Sequence, residues 1–549
     1  MNKKTIFLII GILLSHLIFV ILSMNQPFHG DEIVFSESAK GILKTGKPIF
    51  DYSAFEPNFQ GLWHIPLYSY FVALFVFFFG QSIYSFRAVS AFFNVLVIIL
   101  VYLISKEIFS KEKNKEILSL IAMLVYALNP LTIQSSVVMD IDGGLLNFAV
   151  YLFLYFFIRK KSFFYLIPSL LFVFLSKESG PVILFISLMT FYVLTLNFKK
   201  IPKIFLLFFV SGILFLIIFL SYCSAFGLNF LMPLEHNFKG GSISFISLMV
   251  SAWSFKTFFY FSVPFFVLSF FILSFIFYYM FFKNKEFKKQ EWKDNKILLL
   301  NLFAIVTIFL FFYLGASGWG FPKYYITALP AMSIFIVHRL SKEKIFKKEF
   351  FKKKFVLLVL VFILLSYFLV FIPSPLMPEF DSTAQNAEIA KSAGLIGKSF
   401  CLYFIIPFFI CLIIFYLLRF KHKILISLIF LSFFMFVYLN SLHAVVPYST
   451  YYNYGDIGVL DVVDYFRNNS VSAGQIATYP HLGSYLGMSD YYEITWSYND
   501  ENDFKEKIID NTEIGYIVIY KRDIERIGEN MKYFKLKEKI GSYYVFRRI

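Results

Sequence analysis

Two adjacent carboxylates, Asp31 and Glu32, follow Gly30 just beyond the first long apolar segment of the chain. Ionisable groups beside a membrane are costly, so their presence favours a functional role. A carboxylate shielded from bulk water binds a proton more readily, and Asp31 could therefore act as a general base toward a hydroxyl or an amine. The alternative is structural: Asp31 could cap an apolar-periodic helix that ends at Gly46.

Three cations, Arg87, Lys177 and Lys323, lie at the ends of apolar segments, at the depth of a lipid phosphate. Arginine binds a phosphate through two parallel hydrogen bonds, and lysine binds it as a point charge. Each cation alone could instead extend toward the lipid headgroups without binding a substrate. Three cations opposite carboxylates favour a site for a phosphate-bearing lipid.

The composition indicates which class of protein must position these groups. Hydrophobic residues make up 58% and aromatic residues 21% of the 549 residues, and the mean hydropathy is +0.70. The apolar runs last about 18 to 22 residues, the length that a helix needs to cross a bilayer. We therefore expect a polytopic α-helical membrane protein.

Fourteen apolar segments could cross the membrane: residues 5–24, 64–79, 88–105, 116–137, 143–158, 162–176, 180–197, 203–222, 258–282, 297–314, 324–338, 355–372, 400–418 and 424–442. If all crossed, the densest Lys- and Arg-rich loops would lie outside, against the positive-inside rule. Placing residues 65–79 in the membrane interface returns these loops to the cytoplasm. This segment is short and is bounded by Pro66 and Gly80, so the prediction is about 13 transmembrane helices.

This count sets the orientation and the domains. We expect the first segment to be retained with a cytoplasmic N-terminus, because Lys3 and Lys4 precede a long apolar run and Leu22-Ser23-Met24-Asn25 is a poor small-residue cleavage site. We expect a multi-pass protein of the cell (inner) membrane, with a transmembrane domain over residues 1–443 and a first outer loop over residues 25–87 that carries interfacial helices. The net charge of +16 is spread over many inner loops, which argues against a nucleic-acid partner.

The last part of the chain, residues 444–549, has short apolar runs and frequent charges, so we expect a small extracytoplasmic α/β domain. The patterns predict helices over residues 456–467 and 503–509 and strands over residues 476–479, 516–520 and 543–546. The three cysteines, Cys223, Cys401 and Cys411, lie in or next to apolar segments and predict neither a disulfide framework nor a metal site.

On this topology the ionisable residues of the outer loops gather at the outer ends of the spans, which predicts one site near the outer membrane surface. The candidate residues are Asp31 as the catalytic base and, as substrate-binding residues, Glu32, His64, Arg87, Asp140, Asp142, Lys177, Glu178, Lys323 and Tyr324.

An ordered series of motifs carries a resemblance to a known family. The motifs are Gly30-Asp31-Glu32, Glu37-Ser38-Ala39-Lys40-Gly41-Ile42-Leu43, His64-Ile65-Pro66-Leu67-Tyr68, Phe86-Arg87-Ala88-Val89-Ser90-Ala91, Asn129-Pro130-Leu131, Asp140-Ile141-Asp142-Gly143, Ser176-Lys177-Glu178-Ser179-Gly180 and Pro322-Lys323-Tyr324-Tyr325. In their order and spacing over residues 1–345, the chain resembles the C-type (GT-C) glycosyltransferases. It is most similar to the protein O-mannosyltransferase branch, which includes the lipid A aminoarabinose transferase.

The resemblance implies inverting transfer of one sugar from a polyprenyl-phosphate-linked donor to a lipid, glycan or protein acceptor on the outer face of the membrane. It implies that Asp31 takes the acceptor's proton, while Glu32 and Asp140 orient hydroxyl groups. The cations implied to stabilise the departing phosphate are Arg87, Lys177 and Lys323. Asp140 and Asp142 could hold a divalent ion, but the mannosyltransferase relatives imply no metal. No cofactor is expected, since the lipid-phosphate sugar is a co-substrate.

The chain departs from this branch at Trp63-His64-Ile65-Pro66, where the aminoarabinose transferase has a Lys-Pro pair. A phosphate or acceptor contact is therefore either lost or supplied by His64, which could also be only an interfacial polar residue. The Trp-Trp-Asp signature of oligosaccharyltransferases is absent from the C-terminal domain, which argues against en bloc transfer to asparagine.

Two other functional classes share parts of this pattern. A transporter or flippase for a lipid-linked glycan has the same composition, but transporters usually carry ionisable residues near the bilayer midplane and internal repeats. A structural envelope protein anchored by the outer α/β domain would not need charged residues at so many span ends. The sequence therefore favours the transferase, with the transporter or flippase as the alternative.

Overall fold

The structure is a computed structural model. It describes residues 3–24, 30–50, 60–62, 64–233, 295–313, 326–342, 459–479, 482, 492–493, 505–520, 524, 528–541 and 543–549. The helices in these residues are α1 (Lys3–Ser23), α2 (Gly30–Thr45), α3 (Leu67–Phe79), α4 (Ile83–Ile108), α5 (Lys115–Ala127), α6 (Pro130–Val137), α7 (Asn147–Ile158), α8 (Phe163–Ser176), α9 (Ser179–Leu194), α10 (Ile201–Phe226), α11 (Asn295–Tyr313), α12 (Leu329–Lys342) and α13 (Val459–Asn468). The strands are β1 (Ile476–Thr478), β2 (Tyr492–Glu493), β3 (Tyr516–Tyr520), β4 (Phe534–Ile540) and β5 (Tyr543–Arg548).

Three helices in the described residues are long and apolar enough to cross a membrane: Lys3–Ile21, Ile83–Ile108 and Phe198–Phe226. The apolar stretches of the other described helices are shorter, between 10 and 17 residues. The predicted spans over residues 258–282, 355–372, 400–418 and 424–442 lie outside the described residues. The mostly helical architecture is therefore as expected, and the count of about 13 spans stays a prediction.

The longest of the site-bearing helices is α4, and its sequence explains both of its ends. Ser82 has the extended backbone of an N-cap, and its Oγ accepts a hydrogen bond from the Ser85 amide at 3.1 Å. The helix then runs for 26 residues to Ile108, or about 39 Å at 1.5 Å per residue. Most of its side chains are buried against neighbouring helices, so α4 forms the centre of the helical core.

The predicted span over residues 116–137 is interrupted in the structure. Helix α5 ends at Ala127, and α6 begins at Pro130 after Leu128 and Asn129. Proline lacks a backbone N–H and disfavours helical geometry in the residue before it, so Pro130 explains the break and its place at the start of the new helix. A π-helix over Asp142–Leu146 then leads directly into α7, where one continuous span was predicted.

Two short helices precede α4. Helix α2 was predicted from its apolar period and its glycine stop, and it ends as expected at Gly46, whose φ of +75° suits glycine. A Cβ at Gly41 would overlap the Ile49 backbone, so the chain after α2 packs on the helix at a distance that only glycine permits. Helix α3 has 13 residues, starts after Pro66 and ends before Gly80, as predicted for the interfacial segment.

Charged residues cluster near both ends of α4. At the C-terminal end of α4, Lys106 lies 2.8 Å from Glu116 and Glu107 lies 3.3 Å from Arg159. Lys296, at the start of α11, donates to the Glu107 carbonyl at 3.2 Å. These residues lie about 30 Å along α4 from Arg87, near its other end.

The described C-terminal residues form a five-stranded sheet in the order β2-β1-β3-β5-β4. Strand β1 is parallel to β2 and β3, whereas β5 is antiparallel to β3 and β4. Helix α13 packs its Phe466 ring 5.4 Å from the ring of Tyr516 on β3. The small α/β character was predicted, but β2 and β4 were not. The residues between Lys505 and Ile509 form a π-helical turn where an α-helix was expected.

Candidate active site

Helix α2 begins at Gly30, so Asp31 lies within its first turn rather than at the N-cap position. Asp31 is therefore not the N-cap residue. Its structural role is instead a negative charge in the first turn, which the helix dipole favours. The Asp31 side chain lies outside the described part of the structure, as do Lys323 and Tyr324. The remaining predicted site residues can be followed from contact to contact.

Glu32 and Arg87 form a fully buried ion pair. Arg87 donates from Nε to Glu32 Oε1 at 2.8 Å and from Nη2 to Oε2 at 2.6 Å, and both side chains are 0% exposed. This two-bond arrangement is the strongest geometry available to an arginine and a carboxylate. The pair joins the first turn of α2 to the first turns of α4, although the two residues are 55 positions apart in the sequence.

Backbone groups complete the surroundings of this pair. Arg87 Nη1 donates to the Met24 carbonyl at 2.5 Å, just after the end of α1, and the Met139 amide donates to Glu32 Oε1 at 2.8 Å. The pair therefore ties three helices to the segment that leads into Asp140. The sequence predicted Glu32 and Arg87 as substrate-binding residues at one membrane level, but it did not predict that they bind each other.

Asp140 shapes the turn that follows. Its Oδ1 accepts from the Asp142 amide at 2.9 Å and its Oδ2 accepts from the Gly143 amide at 3.2 Å. Its own amide donates to Ser90 Oγ on α4 at 3.0 Å, and Ser90 shares a 2.6 Å hydrogen bond with the Tyr68 hydroxyl on α3. Tyr68 and Ser90 were not predicted as site residues, although both lie inside the recognised motifs.

Asp142 and Lys177 form a second buried pair. Lys177 Nζ lies 2.8 Å from both carboxylate oxygens of Asp142, and the two side chains are 8% and 2% exposed. Lys177 is held at the end of α8 in an extended backbone conformation. No group of three or more potential metal-ligating side chains occurs in the part of the chain that the structure describes.

His64 and Glu178 form the outermost contact of the chain of pairs. His64 Nδ1 lies 3.3 Å from Glu178 Oε2, and the side chains are 27% and 29% exposed. Burial opposes ionisation of Glu178, but the facing His64 ring outweighs it and lowers the pKa of this carboxyl below its usual value. Because Glu178 follows Lys177 directly, this pair adjoins the Asp142–Lys177 pair.

The site thus alternates acids and cations around the ends of six helices. Glu32 with Arg87, Asp142 with Lys177 and Glu178 with His64 are the pairs, and Asp140 binds backbone amides instead. A nearby pair, Glu37 with Lys40 at 2.5 Å, is also buried and was not predicted. An anionic substrate at this site would have to compete with carboxylates for Arg87 and Lys177.

No protein-family model and no curated protein sequence matches the chain. Two solved structures of one protein match over the whole chain. ArnT from Cupriavidus metallidurans bound to undecaprenyl phosphate has a TM-score of 0.63 and 13% identity, covering 100% of this chain and 99% of that chain. The same ArnT in the apo state has a TM-score of 0.58 and 10% identity, over the same shares. The chain has the fold of ArnT.

ArnT is the lipid A aminoarabinose transferase, so the match confirms at the level of the fold the resemblance to the C-type glycosyltransferases. A further match is AglB from Archaeoglobus fulgidus in complex with an inhibitory peptide and a dolichol-phosphate. It covers 99% of this chain and 74% of that chain at 13% identity, and its TM-score of 0.44 is too low to support an argument.

Proposed function

We propose that the chain is a membrane glycosyltransferase that moves one sugar from a polyprenyl-phosphate-sugar donor to a lipid, glycan or protein acceptor. The observation that carries the proposal is the match of the whole chain to ArnT, whose structure holds undecaprenyl phosphate. The linked acids and cations at the helix ends support it, because a transferase needs a base and positive charge at one place.

In this reaction the acceptor oxygen or nitrogen attacks the anomeric carbon while the bond from that carbon to the phosphate oxygen breaks. Asp31 takes the acceptor's proton, the sugar carbon inverts, and the electron pair leaves with the lipid phosphate. Lys177 supplies positive charge near the departing phosphate, and Lys323 is proposed to do the same. Asp140 holds the turn that carries Asp142, the residue to which Lys177 binds. No metal or cofactor takes part in this proposal.

The proposed site lies on the outer face of the cell membrane, at the level of the first turns of α2 and α4. Helix α3 has 13 residues and is about 20 Å long, which is shorter than the hydrocarbon core of about 30 Å. Glu32 precedes α3 and Arg87 follows it, yet their side chains are 2.6 Å apart. This contact supports the topology in which α3 lies in the interface and Glu32 and Arg87 are on the same side of the membrane. Residues 444–549 are proposed to be extracytoplasmic on the charge pattern of the loops.

The test is Asp31→Asn in liposomes that contain the purified protein, an acceptor extract and a defined polyprenyl-phosphate sugar. Loss of a general base costs about 10²–10⁴-fold in rate, so we expect sugar transfer to fall by at least 100-fold. Asp464→Asn, a change on the exposed face of α13, is the matched control and should transfer normally. Transfer by Asp31→Asn at the wild-type rate would exclude the base, whereas lipid movement across the bilayer without transfer would favour the flippase.

A further inference from the structure

Two polar atoms near the start of α9 are covered and have no hydrogen-bond partner among the residues that the structure describes. They are Oε1 of Glu178 and Oγ of Ser179, whereas Nδ1 of His64 faces Glu178 Oε2 at 3.3 Å. Buried polar atoms are nearly always hydrogen-bonded, so each exception requires an explanation. Two exceptions on adjacent residues indicate a partner beyond the residues that the structure describes, and a bound ligand is such a partner.

The two atoms define the chemistry of that partner. An ionised carboxylate oxygen only accepts hydrogen bonds, whereas a serine hydroxyl both donates and accepts. Neighbouring hydroxyl groups on a sugar ring match this set, because each can donate to Glu178 and accept from Ser179. A phosphate does not match, since its oxygens would face the Glu178 carboxylate with the same sign of charge.

The position of these atoms also fits a ligand contact. His64 and Glu178 keep 27% and 29% of their side-chain surface exposed, whereas Glu32 and Arg87 are 0% exposed. The His64–Glu178 pair therefore borders the solvent-accessible part of the site, whereas the Glu32–Arg87 pair does not. Lys177 precedes Glu178 and binds Asp142, so the outer pair lies beside the proposed site.

We propose that His64, Glu178 and Ser179 form a subsite for the hydroxyl groups of a sugar, an inference that rests on the proposed transferase function. Glu178 accepts from one hydroxyl and Ser179 bonds its neighbour. The His64 ring faces Glu178 Oε2 and leaves Oε1 for the ligand. The bound sugar is either the one carried by the lipid phosphate or one on the acceptor.

The test measures affinity of the full-length protein in detergent for polyprenyl phosphate carrying one hexose or pentose, and for polyprenyl phosphate without a sugar. Loss of one hydrogen bond between the ligand and the site weakens binding by up to about tenfold. Glu178→Gln and Ser179→Ala should therefore each lower the affinity for the sugar-bearing lipid by about fivefold to tenfold. Affinity for the sugar-free lipid should stay unchanged, which also shows that the variants are folded.

Ser176→Ala is the matched control, because Ser176 Oγ already donates to the Phe172 carbonyl at 2.7 Å. It should leave both affinities unchanged. If the subsite holds an acceptor sugar, the two variants will raise the KM for the acceptor and not that for the donor. Equal loss for both lipids, or no change in affinity or KM, would overturn the subsite. Failure of the wild-type protein to bind or transfer from any such lipid would instead overturn the transferase.

Discussion

Arg87 uses all three of its guanidinium nitrogens: Nε and Nη2 bind Glu32, and Nη1 binds the Met24 carbonyl. Arginine was predicted here as a phosphate ligand, but a fully buried guanidinium that is already bonded to a carboxylate serves first to hold helices together. Removing one partner of such a pair leaves the other charge unpaired in a medium of low dielectric constant. The Glu32–Arg87 pair therefore holds together the helices on which the site is built.

We expect Arg87→Ala to lower the free energy of unfolding by about 3–5 kcal/mol, because it strands the Glu32 carboxylate. Arg159→Ala is the matched control, since Arg159 is 43% exposed and its contact with Glu107 is screened by water. Thermal unfolding of the two purified proteins in detergent measures the difference. Similar midpoints for Arg87→Ala and Arg159→Ala would contradict the structural role.

The sequence could predict a set of candidate site residues, but not which of them bind each other. Charge placement at the ends of apolar segments follows from the cost of burying ions in lipid, so Asp142 and Lys177 were recognisable. Their pairing depends on how α8 packs beside the turn at Asp140, which no spacing in the sequence records. Ser90 and Tyr68 were missed because single hydroxyl groups in helices are common and carry no pattern.

The turn between α6 and the π-helix is an element with little tolerance for added volume. A Cβ at Gly143 would overlap the Ser135 side chain and crowd Asp140 Oδ2, whereas a Cβ at Gly144 would meet Ser90 at an ordinary 3.5 Å. Gly143 therefore lets the Asp140 carboxylate bind two successive amides. The chemistry of Asp140 and Asp142 depends on this close approach.

Gly143→Ala should destabilise the protein by about 1–3 kcal/mol through overpacking and should also reduce sugar transfer, because the turn must open. Gly144→Ala provides the comparison at the adjacent position and should retain both stability and activity. Unfolding midpoints together with transfer rates in liposomes measure the two effects. The expectation fails if the two alanine variants behave alike.

Helices and strands could be predicted from the sequence where the local patterns agreed. Helix α2 was foreseen with its stop at Gly46, because apolar period and glycine agree. Strand β4 was missed because its side chains are mostly exposed and charged, as in an edge strand that resists pairing with other chains. The break before Pro130 was also missed, since the apolar run continues across it.

At the scale of the whole molecule, the charged residues at the two ends of α4 predict that the loops before and after this helix lie on opposite sides of the membrane. Lys113 and Gln81 are both exposed and lie in the loops that follow and precede this helix. We expect Gln81→Cys to react with a membrane-impermeant maleimide in intact cells and Lys113→Cys to react only after lysis. The background should lack the three native cysteines. Labelling of Lys113→Cys in intact cells would restore the fourteen-span topology.

The 26-residue helix α4 carries Arg87 near one end and Lys106 near the other. Nineteen peptide units of regular helix separate them, roughly 30 Å, so the distance between the two charged groups is set by the number of helical residues rather than by flexible loops. One residue inserted between them would lengthen this stretch of helix by only about 1.5 Å, but it would rotate Arg87 by about 100° relative to Lys106. The guanidinium would then face away from Glu32 while the other end stayed anchored, so this stretch of helix tolerates substitution far better than insertion.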